Sequence, residues 1–84
     1  MTRIEWTRKA MKQAARIDRE QLPAIFRAVE TLADWPDCRN VKALAGREGY
    51  RLRVGRYRVL FTVHDGAVRI IRVEEVRKRD ERTY

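Results

Sequence analysis

The spacing of apolar residues changes along the chain from a helical period to an alternating one, and the change falls at Gly49. Before it, Leu22, Ile25, Phe26, Val29, Leu32 and Ala33 recur at three- and four-residue intervals, the stripe of an amphipathic helix. Pro23 is tolerated only where its missing N–H would have had no intrahelical partner, so the first turn is expected near Arg19 to Leu22, and Trp35-Pro36 ends the helix. An earlier helix is expected from Thr7, its N-cap, to about Ile17. Ala10, Met11, Ala14, Ala15 and Ile17 lie on its inner side, and Arg8, Lys9, Lys12 and Arg16 face solvent. Trp6 and Met11 have the spacing of a hydrophobic staple. Met1 to Glu5 reads as a short strand, and the segment 36–49, which has no period, reads as a loop with room for a helical turn.

After Gly49, Tyr50, Leu52 and Val54 alternate with Arg51 and Arg53, and Tyr57, Val59, Phe61 and Val63 alternate with Arg58, Leu60 and Thr62. Gly55-Arg56 and Asp65-Gly66 occupy the turns. A third run, Ala67 to Val76, is apolar at both parities, as in a strand covered on both faces. The expected fold is α+β: a short N-terminal strand, two antiparallel helices packed on a mainly antiparallel sheet, and a C-terminal three-stranded meander. Two-residue turns set Arg53 opposite Arg58, Arg51 opposite Leu60 and Val63 opposite Val68. Tyr50, Leu52, Val59, Phe61 and Ile70 then meet the helices, and Arg51, Arg53 and Arg58 share the other face. Odd-numbered residues of the last strand, Ile71 and Val73 included, join the arginines, so Arg77 and Arg79 extend the basic face. The same register sends Arg72 toward the core.

Length and charge narrow what such a fold does. The 84 residues make one domain, 1–84, with a formal charge of +8. The single cysteine, Cys38, forms no intramolecular disulfide and no metal-ligand cluster, so no metal or cofactor is expected and a reducing cytoplasm is the simplest home. No segment approaches the roughly 20 apolar residues of a membrane span, and MTRIEWTRKAMKQ has no signal-peptide apolar stretch. The excess of cations points to a polyanion, either nucleic acid or an acidic protein.

Like charges directly opposite each other in a sheet are unfavourable, so folding alone does not select an Arg53–Arg58 pair. An anion between them turns repulsion into charge-assisted, bidentate hydrogen bonding, and a phosphodiester fits the guanidinium fork. The competing reading is a solvated strand face with Glu74 or Glu75 relieving the charge. The tail adds Arg77, Lys78, Arg79, Arg82 and Tyr84, a frayed basic end in isolation but an extension of the patch if the strand continues. Tyr84 would then stack on a base or offer its hydroxyl. His64 lies at the opposite end of the hairpin and reads as a turn residue; Cys38 reads as packing.

The stretch GYRLRVGRYRVLFTVHDGAVRIIRVEEVRKRDERTY resembles the RelE/ParE superfamily of bacterial toxin–antitoxin toxins, and the two preceding helices fit as well. Members similar to RelE cut mRNA in the ribosomal decoding site without metal, whereas ParE-like members inhibit DNA gyrase on the same fold. The resemblance to RelE implies an mRNA endoribonuclease: Arg51 and Arg53 bind phosphate where the best-known pattern has lysine, and Arg58 stabilises the transition state. Lys78 or its neighbour Arg77 assists the leaving oxygen and Tyr84 completes the site, while Arg79 and Arg82 of the basic tail are expected, beside the resemblance, to add substrate contacts. The implied reaction is attack by a 2′-hydroxyl on the adjacent phosphate, leaving a cyclic phosphate and a free 5′-hydroxyl. The implied partners are ribosome, mRNA and a cognate antitoxin that wraps the toxin with an acidic or amphipathic segment, with gyrase as the alternative target and no membrane.

Overall fold

A computed structural model describes residues 1–78. Along them run β1 (Thr2–Trp6), α1 (Arg8–Ala14), α2 (Leu22–Glu30) with a 3-10 turn at Thr31–Asp34, β2 (Val41–Ala43), β3 (Tyr50–Val54), β4 (Tyr57–His64) and β5 (Arg69–Lys78). The strands form one sheet in the order β1-β5-β4-β3-β2, with β1 parallel to β5 and the other pairs antiparallel. The α+β architecture expected from the apolar spacing is therefore present. No helix among the described residues is long and apolar enough to cross a membrane.

The core lies between the helices and one face of the sheet. Ile25, Val29 and Leu32 from the α2 stripe and Ala10 from α1 meet Leu52, Val59, Phe61, Ile71 and Val73, all essentially inaccessible. Trp35 sets its ring edge-on to Tyr50 and Phe61, at centroid distances of 4.6 and 5.6 Å. Gly49 has φ +112, and a Cβ there would meet the Phe61 carbonyl oxygen at 2.9 Å, so only glycine lets the chain turn into β3 this close to β4.

Thr7 caps α1 as its type suggests: its hydroxyl accepts from Ala10 N and donates to the Glu74 carbonyl, each at 3.1 Å. The helix is shorter than expected, ending at Ala14, and Ile17 is held by a tighter turn, its N–H donating to Ala14 O. The Trp6 ring stands edge-on to Phe26 of α2 at 5.3 Å, while Met11 is exposed.

Three expectations are corrected. The segment read as a loop contains β2, whose three residues gain their strand geometry from pairing with β3 rather than from any alternation of their own. Val63 pairs with Ile71, not Val68, because the chain between β4 and β5 is longer than a two-residue turn. That odd offset reverses parity, so Ile71 and Val73 are core residues, Ile70 is not, and Arg72 takes the outer face opposite Thr62. A β-bulge then restores the original phase: Phe61 pairs with Val73 but Leu60 pairs with Glu75, leaving Glu74 as the extra residue. Beyond it Val76 faces the core with Val59, and Arg77 stands opposite Arg58 on the outer face.

Candidate functional site

The outer face of the sheet carries the arginines. At the Gly55-Arg56 turn, where Gly55 has φ 57, the hairpin sets Arg53 opposite Arg58 and Arg51 opposite Leu60, the register expected from the sequence. The β4–β5 pairing adds Arg77 opposite Arg58, so one row across three strands reads Arg53, Arg58, Arg77. β2 adds Lys42 beside Arg51. Asn40, in a left-handed conformation at φ 61, turns its carbonyl to accept from Arg53 N at 2.9 Å, fixing the chain at the mouth of the site. The result is an open cleft of about 390 Å³ lined by Asn40, Val41, Lys42, Arg51, Arg53 and Arg58.

Among the described residues, the Arg51, Arg53 and Arg58 side chains have no hydrogen-bonded or ionic partner. Among the described residues no acidic group thus relieves the repulsion across the Arg53–Arg58 pair, and a doubly contacted anion such as a phosphodiester is a ligand these forks fit.

One row away lies Glu75, opposite Leu60 and buried. Its Oε1 accepts from Arg77 Nε at 2.7 Å, and its Oε2 stands 3.7 Å from Lys9 Nζ and 3.9 Å from Arg47 Nη2. Burial pushes the Glu75 carboxyl up, but the Arg77 hydrogen bond and charge, with Lys9 and Arg47, outweigh it, and its pKa lies below the ordinary value. Lys9 reaches the site because α1 takes over as the neighbour of β5 where β1 ends: Val76 N donates to Gln13 Oε1 at 2.7 Å.

Of the other residues read from the sequence, Lys78 pairs with Tyr57 and so takes the core-side parity, away from Arg58. Arg79, Arg82 and Tyr84 lie outside the described residues. His64 is at the far end of β4, its Nε2 2.9 Å from the Thr62 hydroxyl. Cys38 is half-buried and donates to Thr31 O at 3.6 Å; burial, with Asp34 and Asp37, pushes its thiol pKa up, the opposite of an activated nucleophile. Lys42, Arg47 and Lys9 were not visible as site residues. Lys42 belongs to a strand without alternation, and the other two arrive through tertiary contacts alone. No group of three or more His, Cys, Asp or Glu among the described residues is placed to hold a metal ion.

The sequence profile of the ParE toxin of type II toxin-antitoxin system, parDE, matches residues 4–81. None of the curated proteins matches the sequence. Among solved structures, the fold is similar to a chain of the toxin–antitoxin complex RelBE2 from Mycobacterium tuberculosis, with TM-score 0.79 and 21% identity over 92% of this chain and 96% of that one. It is also similar to a chain of the archaeal RelE–RelB complex from Pyrococcus horikoshii OT3, with TM-score 0.75 and 22% identity over 95% and 97%. A chain of the intact E. coli RelBE complex gives TM-score 0.73 and 21% identity over 95% and 98%. At these identities the likeness is one of fold.

Proposed function

The chain belongs to the ParE toxin family of type II toxin–antitoxin systems, within the RelE/ParE superfamily, and from that premise we propose that it is a ribosome-dependent mRNA endoribonuclease acting in the cytoplasm. The observation that carries the proposal is the cleft in which Lys42, Arg51, Arg53 and Arg58 converge with no acidic partner among the described residues. A gyrase inhibitor needs a binding surface; a row of opposed guanidinium groups lining an open cleft suits a phosphodiester.

In this reading Lys42 and Arg51 hold the mRNA backbone, and Arg53 and Arg58 flank the scissile phosphate. Attack by the 2′-hydroxyl gives a phosphorane with more negative charge than the ground state, and fixed cations stabilise it more than they stabilise bound substrate. Arg77, in the same row as Arg58, serves the departing 5′-oxygen, a place that Lys78 does not share. Guanidinium groups remain protonated at physiological pH, so the arginines supply charge and hydrogen bonds rather than a base. Proton transfer falls to Tyr84, which the family resemblance assigns to the site, and Arg79 and Arg82 add contacts to the substrate. Toxins of this kind are paired with antitoxins, as the complexes of the structural relatives are. The counterpart here is an acidic or amphipathic cognate antitoxin that complements the +8 charge.

Ribosomes programmed with mRNA test the proposal. The expected result is cleavage in the decoding site by the native protein and none by Arg58→Ala. Undiminished cutting by that variant would remove Arg58 from the mechanism. The second reading, a gyrase inhibitor, is favoured by the ParE profile itself. Loss of supercoiling with translation intact would establish it instead.

A further inference from the structure

Among the described residues Glu75 is the one charged side chain buried in the fold, 7% exposed. Its position follows from the β-bulge. Glu74 and Glu75 both reach the outer face, the first with its Oε2 accepting from the Thr62 hydroxyl at 2.8 Å, the second standing beside the Arg58–Arg77 row. Stability alone does not require a carboxylate here. Taking an ion out of water is costly, and a buried ionic group can often be replaced by an apolar side chain without loss. Opposite Leu60, an apolar residue would pack. The chain instead gathers three cations from three separate elements around one carboxylate.

The geometry at Arg77 gives that carboxylate a use. Glu75 Oε1 takes only the Nε–H of Arg77, at 2.7 Å, and Arg77 makes no other side-chain bond among the described residues. A guanidinium held by one edge keeps its plane and direction fixed, while both terminal nitrogens remain available for two oxygens of a phosphate. Left unheld, an arginine so exposed would spread over many rotamers, and each bond to a ligand would have to offset that lost freedom.

We propose that Glu75 is a positioning residue, which fixes Arg77 by its Nε edge so that the terminal nitrogens meet the same phosphodiester that Arg53 and Arg58 hold. This rests on the reading of the cleft as an RNA site. Lys9 and Arg47 keep the second carboxylate oxygen charged and in place, and they tie α1 and the loop before β3 to the same point.

The experiment is a double-mutant cycle between Glu75 and Arg77, read by two assays: cleavage on programmed ribosomes, and binding of an uncleavable 2′-O-methyl oligoribonucleotide. Glu75→Ala is expected to slow cleavage about tenfold when Arg77 is present and by less than about twofold when Arg77 is already alanine. The oligonucleotide affinities are expected to show the same dependence on Arg77. A general field effect or a loss of packing would act equally in both backgrounds, and equal factors in the two would overturn the proposal. Glu75→Gln, which keeps an acceptor for Nε–H and the side-chain shape, is expected to retain more cleavage than Glu75→Ala at similar thermal stability. Should Glu75→Ala fail to fold, the glutamine variant carries the cycle. A native protein that binds the oligonucleotide but does not cut defeats the nuclease reading alone, and the binding cycle then decides the role of Glu75. A protein that does not bind it defeats both.

Discussion

The two ends of the β3–β5 meander treat their charged residues in opposite ways. At the His64 end, Arg69 donates through Nε to Asp65 Oδ1 and through Nη1 to the Trp35 carbonyl, both at 2.7 Å, and Thr62 joins Glu74 to His64. At the Gly55 end, the same strands carry Arg51, Arg53 and Arg58 with no such partner among the described residues. The residue type is the same and the scaffold is continuous, so the difference is not a general property of a basic protein. Where an arginine serves the fold, the chain supplies its acceptors. Where the described residues supply none, the arrangement suits an external anion, as the proposed function requires.

That contrast can be broken most sharply at Arg58. Replacing it with alanine is expected to reduce cleavage by about 100-fold or more, the scale for removing one donor to a developing charge, while thermal stability stays level or rises as the Arg53 repulsion is relieved. Arg53→Ala is expected to weaken oligoribonucleotide binding and to make its logarithmic salt dependence shallower by about 0.7, the value for one phosphate contact on a single strand. At the opposite end the signs reverse. Arg69→Ala is expected to lower stability by about 1–2 kcal/mol, because the Trp35 carbonyl loses its donor, with RNA affinity within about twofold of native. Asp65→Ala, which removes an exposed partner, is expected to cost about 1 kcal/mol or less.

The last test concerns pH. The Glu75 pKa is depressed in the folded protein, so its contribution to stability is present above the unfolded-state value and is lost as pH falls through the folded one. The difference in thermal midpoint between the native protein and Glu75→Gln is therefore expected to shrink on acidification below about pH 4.3, the ordinary glutamate value. A difference that stayed constant there would mean that the charge of Glu75 does not matter.

Much of this was legible in the residues. Gly55-Arg56 flanked by alternating apolar positions was enough to place Arg53 against Arg58, because a two-residue turn leaves one register. The α2 stripe named its buried residues Ile25 and Val29, and Thr7 announced its helix. The missing parts share a cause, which is that they exist only through partners distant in sequence. β2 is a strand because β3 lies beside it, and Lys42 enters the site with it. The parity of β5 was misread because the Asp65-Gly66 turn was taken as two residues long and because a bulge leaves no sign in apolar spacing beyond a pair such as Val73 and Val76, three apart. Arg77 consequently arrives on the basic face by a different route from the one the alternation implied.

The bulge at Glu74 has a consequence for how this gene can change. A regular strand keeps phase over its whole length, so removing any one residue turns everything beyond it inside out. In β5 the phase is broken once, and deleting the Glu74 codon would leave a plain alternation with Val73 and Val76 still inward and Glu75 and Arg77 still outward. One position in this strand thus tolerates a length change without exchanging core for site, whereas a codon lost between Glu75 and Arg77 would shift the residues beyond it to the opposite face.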